Sequence, residues 1–304
     1  MSDRPTISVL MPVYNGARYL KEAVESIRAQ TFSDFEIIAV DDGSTDDSLA
    51  ILQKLAQADP RLRIVSRPNT GIVGALNDGL AVARGEFVAR MDGDDIARPE
   101  RLEVQLHYLR AHPELVAIGC GVRMVDPAGR VLKNFTACTD APRLRRDLIE
   151  ATTIGIIHPT LLVRRSVLER VGGYRRQYNF VEDIDLFLRL LDEGELGNAP
   201  EILLDYRQHL QSTNSTRHEK QHQLIAQCYA EHRARWNLPP METQPNHPPM
   251  AVRGAQNILW AYWAVEGGRR GTALRHAITA MIRSKLAPEA RRCFNYVVHT
   301  LYAS

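Results

Sequence analysis

The sequence has 304 residues, of which 44% are hydrophobic and 24% are charged, so it can form one large domain or two of ordinary size around a substantial core. Its 38 basic and 36 acidic side chains leave a formal net charge of +2, which removes the global electrostatic argument for nucleic-acid binding. It lacks both a secretory signal and the roughly 18 consecutive apolar residues of a membrane-spanning helix. We therefore expect a soluble, cytoplasmic protein.

The first 115 residues predict four successive βα units. Each unit begins with a short β-rich run that ends in a polar or glycine-containing turn, and a helical pattern follows. The four runs with their turns are "TISVLMPVYNG", "DFEIIAVDDGSTD", "LRIVSRPNTG" and "GEFVARMDGDD". This alternation predicts an α/β fold with a Rossmann-like, mostly parallel central sheet, flanked by helices and joined by right-handed crossovers.

Polar residues collect where the four predicted strands end. These residues are Pro12, Tyr14 and Asn15 after the first strand, Asp41 and Asp42 after the second, Asn69 and Gly71 after the third, and Asp92 and Asp94 after the fourth. Each one alone is more often a turn or cap residue. Because open parallel sheets bind ligands outside the carboxyl ends of their strands, four such ends together predict a ligand site at that rim.

The cluster "MDGDD" brings three carboxylates within four positions: Asp92, Asp94 and Asp95. Oxygen ligands at a strand end suit a hard divalent cation, Mn²⁺ or Mg²⁺, which commonly completes its shell with water and the phosphates of a substrate. An acidic turn remains the alternative. The role of Asp95 stays open, because it could assist the metal through water or cap the following helix.

After residue 115 the pattern changes. The run "LVAIGCGVRMVDPAGRVLKNF" alternates like an antiparallel pair with "DPAG" as its turn. In "FVEDIDLFLRLLDEG" the apolar spacing places Glu182 and Asp183 in the first turn of a helix, where the helix dipole favours acids in any case. "EILLDYRQH" predicts a last strand, and the remaining sequence is helical in pattern. The four scattered cysteines predict reduced thiols.

Six segments together resemble the inverting glycosyltransferases of family 2, which have the nucleotide-sugar-binding fold called GT-A. The segments are "SVLMPVYNG", "IIAVDDGSTDDS", "NTGIVGALNDGLAVARGEFVARMDGDD", "HPTLLVRRSVLERVGGY", "EDIDLFLRL" and "YRQHLQS", in this order between residues 6 and 215. The resemblance implies metal-dependent inverting transfer of a sugar from a UDP- or dTDP-sugar to an acceptor hydroxyl. It also implies a place in surface polysaccharide, capsule or glycolipid synthesis.

The resemblance assigns the donor site residue by residue. Pro12, Val13, Tyr14 and Asn15 would line the nucleotide pocket, Asp42 would hydrogen-bond the base, and the loop from Gly71 through Asn77 would pass near the ribose and diphosphate. Asp92 would face the ribose or sugar, Asp94 would bind the metal with Asp92 as a further candidate ligand, and His209 would contact the metal or diphosphate from the C-terminal side.

The same resemblance nominates Asp183 as the base that takes the proton of the acceptor hydroxyl, with Glu182 orienting the acceptor. It places His158 and Arg164 or Arg165 near the acceptor or diphosphate. For His158, a buried strand-end histidine without a direct role is an equal alternative.

Domain organisation follows from these patterns. Residues 1–220 would form the glycosyltransferase domain, with a donor half over about 1–115 and an acceptor half over about 116–220. Residues 221–304 would form a helical C-terminal region with many aromatic and basic side chains. That region predicts either packed helices with a solvated face, or a peripheral contact with the inner face of a membrane or with a second copy.

Two other functions remain open at this stage. A non-catalytic nucleotide-sugar-binding module would keep the fold without transfer. A nucleotidyltransferase that makes the activated sugar would need a glycine-rich loop with Arg and Lys after the first strand, which "MPVYNGARYL" does not provide. The predicted partners are a nucleoside-diphosphate sugar and a glycan or lipid-linked acceptor, and no nucleic acid.

Overall fold

The computed structural model describes residues 4–153, 155–209, 218–241 and 255–302. The strands are β1 Ile7–Val13, β2 Phe35–Asp41, β3 Leu62–Ser66, β4 Phe87–Arg90, β5 Ile96–Ala97, β6 Leu115–Val125, β7 Val131–Phe135, β8 Leu162–Arg164 and β9 Glu195–Arg207. The helices are α1 Ala17–Arg28, α2 Ser48–Ala58, α3 Ile72–Val82, α4 Arg101–Ala111, α5 Ala141–Ile149, α6 Arg165–Arg170, α7 Glu182–Leu190, α8 His218–Arg235, α9 Ala255–Glu266, α10 Arg270–Arg283 and α11 Pro288–Tyr302.

The chain divides into two compact units. The first comprises residues 1–121, 136–204 and 219–245, and the second comprises residues 122–135, 205–218 and 246–304. The predicted division at residue 220 stays a prediction.

The first unit is built on a central sheet with strand order β3-β2-β1-β4-β8-β6-β9-β5. Strands β1, β2, β3 and β4 pair in parallel, as the four βα units predict, and β8 then pairs antiparallel with both β4 and β6. Every residue of β2 is buried, because helices cover both faces of a parallel sheet of this kind. The predicted α/β fold with a mostly parallel sheet is confirmed.

Helical spacing decides which side chains of the covering helices enter the core. Helix α1 buries Leu20, Ala23, Val24 and Ile27, which recur at the three- and four-residue intervals of one helix face. Helix α7 buries four apolar residues in the same core as Leu10 and Ile38 of the sheet: Leu186, Phe187, Leu188 and Leu190. This packing fixes where α7 begins, and therefore where its first-turn carboxylates lie.

The antiparallel strand β8 brings the segment around His158 to the end of β4. Ala89 pairs with Leu162, and the amide of Arg90 donates to the carbonyl of Leu161 at 2.8 Å. The 3-10 turn His158–Thr160, which precedes β8, is thereby held beside the carboxyl end of β4.

Two strands differ from the sequence-based expectation: β5 was not predicted, and β9 begins earlier than predicted. Strand β5 has two residues and directly follows Asp95. It is too short to produce a periodic hydrophobic pattern in the sequence. Strand β9 begins at Glu195, six residues before the predicted run, since "ELGNAP" contains few of the β-branched residues that indicate a strand.

The second unit contains the predicted β6–β7 hairpin and the helices α9, α10 and α11. Val122 pairs with Phe135 across the hairpin, and Leu132 packs with Trp260, Ala277 and Cys293 in an apolar cluster. Inside this unit the buried carboxylate of Asp126 lies 3.0 Å from His276 Nε2. Within the described ranges, no helix is long and apolar enough to cross a membrane.

Candidate active site

Three carboxylates converge just beyond the carboxyl end of β4. One oxygen each from Asp92, Asp94 and Asp95 lies within 4.8 Å of the others, with Asp95 buried and the other two partly buried. Backbone hydrogen bonds hold this strand end, since the amide of Met91 donates to Leu10 at 3.1 Å. A donor set of three carboxylates suits a hard divalent cation, so these residues fit the metal that the sequence predicts.

Arg90 links this acidic cluster, defined as Asp92, Asp94 and Asp95, to the rest of the site. Its side chain is buried, and Nη1 lies 2.5 Å from a carboxylate oxygen of Asp92. Burial lowers the pKa of Arg90, but the charge of Asp92, its hydrogen bond and the smaller effects of Tyr174 and Asp95 together outweigh burial, so the net shift of the pKa is upward. Sequence reasoning missed Arg90, although a charge inside the apolar run "EFVARM" signals a buried pair.

A second buried arginine supports the strand end from behind. Arg101 Nη2 donates to the carbonyl of Arg90 at 2.7 Å, and Nε donates to the side chain of Gln105 at 3.1 Å. Burial lowers the pKa of Arg101, while the nearby charge of Asp95 opposes this effect. Arg101 therefore fixes the backbone from which the acidic cluster projects.

Glu182 and Asp183 lie in the first turn of α7, as the apolar spacing predicts. The amide of Phe180 donates to Glu182 Oε2 at 2.8 Å, and the amide of Ile184 donates to Asp183 Oδ1 at 2.8 Å. Burial and the charge of Asp183 raise the pKa of Glu182 to about 7. Burial also raises the pKa of Asp183, and the positive charge of Arg90 opposes the rise in both residues.

This carboxylate pair and the acidic cluster therefore share one buried cation. Arg90 is ion-paired with the cluster through Asp92, and its charge acts on Glu182 and Asp183. A carboxyl group with a pKa of about 7, as in Glu182, is partly protonated at neutral pH, and the raised pKa of Asp183 makes it a stronger base than an ordinary exposed carboxylate.

His158 is a buried, neutral histidine that packs against Tyr174 and Phe187. Its Nε2 lies 3.1 Å from the hydroxyl oxygen of Tyr174, and its ring meets Phe187 edge-on at 6.1 Å. Burial, together with the charge of Arg90, lowers the pKa of His158 well below its usual range. Burial likewise raises the pKa of Tyr174, so its hydroxyl stays protonated. Apart from the position of Tyr174 after a double glycine, no sequence pattern indicates its role.

At the end of β2, Asp42 is already engaged by the loop that follows β3. Its two carboxylate oxygens accept from the amides of Thr70 at 3.1 Å and Gly71 at 2.9 Å, and Arg67 Nε lies 3.3 Å from the same side chain. Gly71 has φ of +90°, which glycine adopts without strain. Asp42 thus shapes the loop that the sequence assigns to the ribose and diphosphate.

The turn after β1 is fastened to the turn after β2. Asn15 Oδ1 accepts from the backbone amide of Thr45 at 2.8 Å, and the backbone amide of Asn15 donates to Ser44 Oγ at 3.0 Å. Val13 is buried and Pro12 is half-buried. Tyr14 is 55% exposed, so its ring is accessible at this rim.

Asn77 is held at both ends of its side-chain amide. Nδ2 donates to the carbonyl of Tyr174 at 2.8 Å, and Oδ1 accepts from the amide of Tyr174 at 2.9 Å. The residue therefore joins α3 to the segment that leads to α7. This is a positioning contact that the sequence did not predict.

Arg164 lies at the end of β4 opposite to the acidic cluster. Arg164 pairs opposite Phe87, at the start of β4 rather than its end, and its guanidinium donates to the carbonyls of Leu109 and Leu115 at 3.0 and 3.3 Å. His209 belongs to the second unit, and its role as a metal ligand stays a prediction.

Known proteins resemble this chain in sequence and in fold. A family model described as "Glycosyl transferase family 2" matches residues 8–172. The chain is 35% identical over 213 residues to "Putative glycosyltransferase EpsE" of Bacillus subtilis (strain 168), which covers 68% of this chain and 75% of that protein. It is 32% identical over 214 residues to "O-antigen biosynthesis glycosyltransferase WbnJ" of Escherichia coli, covering 69% of this chain and 82% of that protein.

A solved structure supports the fold. The mannosyltransferase PcManGT from Pyrobaculum calidifontis, in complex with GDP-Man and Mn²⁺, superposes with a TM-score of 0.56 at 20% identity, covering 99% of this chain and 82% of that one. The family model spans more than half of the 304 residues, and both curated relatives align over most of their own length. The chain therefore belongs to glycosyl transferase family 2 and has the GT-A fold.

Proposed function

We propose that this family 2 glycosyltransferase is a metal-dependent, inverting enzyme that transfers a sugar from a UDP- or dTDP-sugar to an acceptor hydroxyl. One observation carries the proposal. The acidic cluster at the end of β4 and the carboxylate pair at the start of α7 both lie in the field of buried Arg90.

Asp92 and Asp94 would hold Mn²⁺ or Mg²⁺, with Asp95 and His209 as further candidate ligands. When bound, the cation stabilises the negative charge that builds on the departing nucleoside diphosphate. The likeness to an Mn²⁺-bound mannosyltransferase complex supports the choice of metal.

The chain's own residues would position the donor. Tyr14 offers an exposed ring for the base, together with Pro12, Val13 and Asn15, and Asp42 keeps the loop from Gly71 to Asn77 in place through the amides it accepts. Asp42 could reach the base only with oxygen lone pairs that these amides leave available.

On the acceptor side, Asp183 would take the proton of the attacking hydroxyl, and Glu182 would orient the acceptor. Their raised pKa values suit this task, since a base works best when its pKa lies near the working pH. A single displacement from the face opposite the leaving group inverts the anomeric carbon and needs no covalent nucleophile. His158 would support Tyr174, to whose hydroxyl it is bonded, and a role of Arg164 near the acceptor or diphosphate stays a prediction.

One relative is an O-antigen biosynthesis glycosyltransferase, which supports a role in surface glycan or glycolipid synthesis. This synthesis would take place at the cytoplasmic side of a membrane. A non-catalytic nucleotide-sugar-binding module is the second candidate. The raised pKa values of Glu182 and Asp183 argue against it, because a binding module has no use for a buried proton acceptor.

A thermal-shift screen tests the proposal. Nucleoside diphosphates and their sugars are added with and without Mn²⁺, and a ligand that binds the native state raises the melting temperature by mass action. We expect a selective, Mn²⁺-dependent shift with one nucleotide that disappears in Asp94→Asn. A shift that is equal for all nucleotides would contradict the proposed donor class, and a Mn²⁺-dependent shift that Asp94→Asn retains would show that the metal assignment is wrong.

A further inference from the structure

The outward face of α10 and the turn after it expose apolar side chains in the second unit. This face, here called the α10 face, consists of Arg275, Ile278, Ile282, Lys285 and Leu286. Ile282 is 72% exposed, Leu286 47% and Ile278 43%. Ile278 and Ile282 are one helical turn apart and therefore adjacent on the surface.

The turn between α10 and α11 presents its leucine through an unusual backbone. Lys285 and Leu286 have φ of +51° and +65°, a region in which a helix end normally carries glycine. The amide of Leu286 donates back to Met281 at 2.9 Å, which closes the helix in this conformation. An exposed leucine in a strained turn indicates a use for its side chain.

Positive charge surrounds these apolar side chains. Residues 267–302 contain seven basic residues and one acid, Glu289, whereas the whole chain carries only +2. All seven basic side chains are exposed: Arg269, Arg270, Arg275, Arg283, Lys285, Arg291 and Arg292. The single acid pairs with Arg292 at 3.3 Å. This part of the surface therefore carries a concentrated positive potential.

We propose that the α10 face docks on an anionic membrane surface, with Ile278, Ile282 and Leu286 entering the headgroup boundary and the surrounding cations contacting lipid phosphates. Helices that lie on membranes combine an apolar strip with flanking Lys and Arg in this way. A nucleic acid or an acidic glycan would match the charge but leave the isoleucines in water. A second copy of the chain would set like charges against each other.

Co-sedimentation with vesicles tests the proposal, using the full chain. One set of vesicles is phosphatidylcholine, and the other contains equal parts phosphatidylcholine and phosphatidylglycerol. We expect the protein to bind the anionic vesicles at least about ten-fold more tightly, with binding that weakens as salt increases.

Two double variants separate the charge from the apolar contribution. Arg275→Glu/Lys285→Glu should weaken binding at least about 25-fold, since each cation contributes about five-fold. Ile278→Gln/Ile282→Gln should weaken it about ten-fold. Lys54→Glu, at an exposed site on α2, is the matched charge control and should change little. Unchanged melting temperatures confirm that the variants fold.

Three results would overturn the proposal. The first is equal binding to both kinds of vesicle, or binding to neither. The second is wild-type binding by the isoleucine variant, which would indicate an acidic polymer as the ligand. The third is self-association in analytical ultracentrifugation that the isoleucine variant abolishes. Because no nucleotide is present, none of these results depends on the proposed transferase activity.

Discussion

The first turn of α7 carries two kinds of buried carboxylate. Asp185 is fully buried, and Arg175, Arg189 and His232 all contact it. Burial alone would raise its pKa, but hydrogen bonds from His232 and Arg175 lower the pKa to about 2. Arg90 is the cation that acts on Glu182, three residues earlier, and burial with the charge of Asp183 raises the pKa of Glu182 to about 7.

This difference teaches how one helix turn holds both a structural and a reactive acid. Asp185 is surrounded by compensating charge, so it is permanently ionised and ties α7 to α8 through His232. Its group with Cys228 and His232 has metal-ligand types within reach of one another, but the arginines already occupy the carboxylate. Glu182 and Asp183 lie in the field of Arg90, but burial still raises the pKa of both residues, and they can therefore exchange a proton.

The largest expected effect is on the reactive side of the comparison. Asp94→Asn removes a ligand of the proposed cation, which supplies several kcal/mol of transition-state stabilisation, so transfer should fall by roughly 10³-fold or more. The measurement is product formation at saturating donor and Mn²⁺. Asp47→Asn changes an exposed acid in the loop after β2 and should leave the rate nearly unchanged. Equal losses in both variants would refute a specific metal role.

The structural acid should matter for folding instead. Asp185→Asn leaves the buried guanidinium of Arg189 without its carboxylate, which should cost about 3–5 kcal/mol of unfolding free energy, whereas the partly exposed Arg175 keeps its pair with Glu231. Urea denaturation measures this cost. In the wild type, the folded pKa of about 2 lies below the unfolded value of 3.8, so the stabilisation is present above pH 4 and is lost as the pH falls towards 2. A variant as stable as wild type at pH 7 would contradict the account.

Glu182 should show the opposite sign. Its folded pKa of about 7 exceeds the unfolded value of 4.5, so its contribution to stability is present below pH 4.5 and is lost as the pH rises through 7. Glu182→Gln should therefore stabilise the protein at pH 8 by about 1–3 kcal/mol while lowering transfer. Urea denaturation at pH 5 and pH 8 measures the difference. Destabilisation at pH 8 would show that ionised Glu182 is compensated after all.

The smallest effect is a shift of the pH profile. Arg90 holds down the pKa values of Glu182 and Asp183, so Arg90→Met should move the rising limb of kcat/KM to higher pH. The base must be unprotonated to act, which is why the rate rises with pH. Arg164→Met removes an arginine that bonds to carbonyls elsewhere and should leave the limb in place. A uniform loss at every pH would indicate that Arg90 has only a structural role.

Much of the site could be predicted because its signals are local. The position of Asp92 and Asp94 follows from the end of an apolar run, and that of Glu182 and Asp183 from the apolar spacing of one helix. Each signal lies within about a dozen residues, the span over which hydrophobic periodicity is reliable.

The features that sequence reasoning missed depend on contacts between distant segments. Asn77 bonds to Tyr174, 97 positions away, and no local pattern encodes that pairing. Arg164 points to the opposite end of β4 because β8 runs antiparallel to it, and strand direction is not visible in "HPTLLVRRS". Arg90 could have been predicted from the sequence. An arginine inside an apolar run is expected to be buried and to pair with a nearby acid.

The central claim is that Asp183 takes the proton of the acceptor hydroxyl when that hydroxyl attacks a metal-bound sugar donor. The most direct test is glycosyl transfer by Asp183→Asn, together with its Mn²⁺-dependent melting shift on binding the nucleoside diphosphate. The account predicts that the shift is retained while transfer falls by roughly 10²- to 10⁴-fold. Transfer within a few-fold of wild type, with the shift intact, would contradict it.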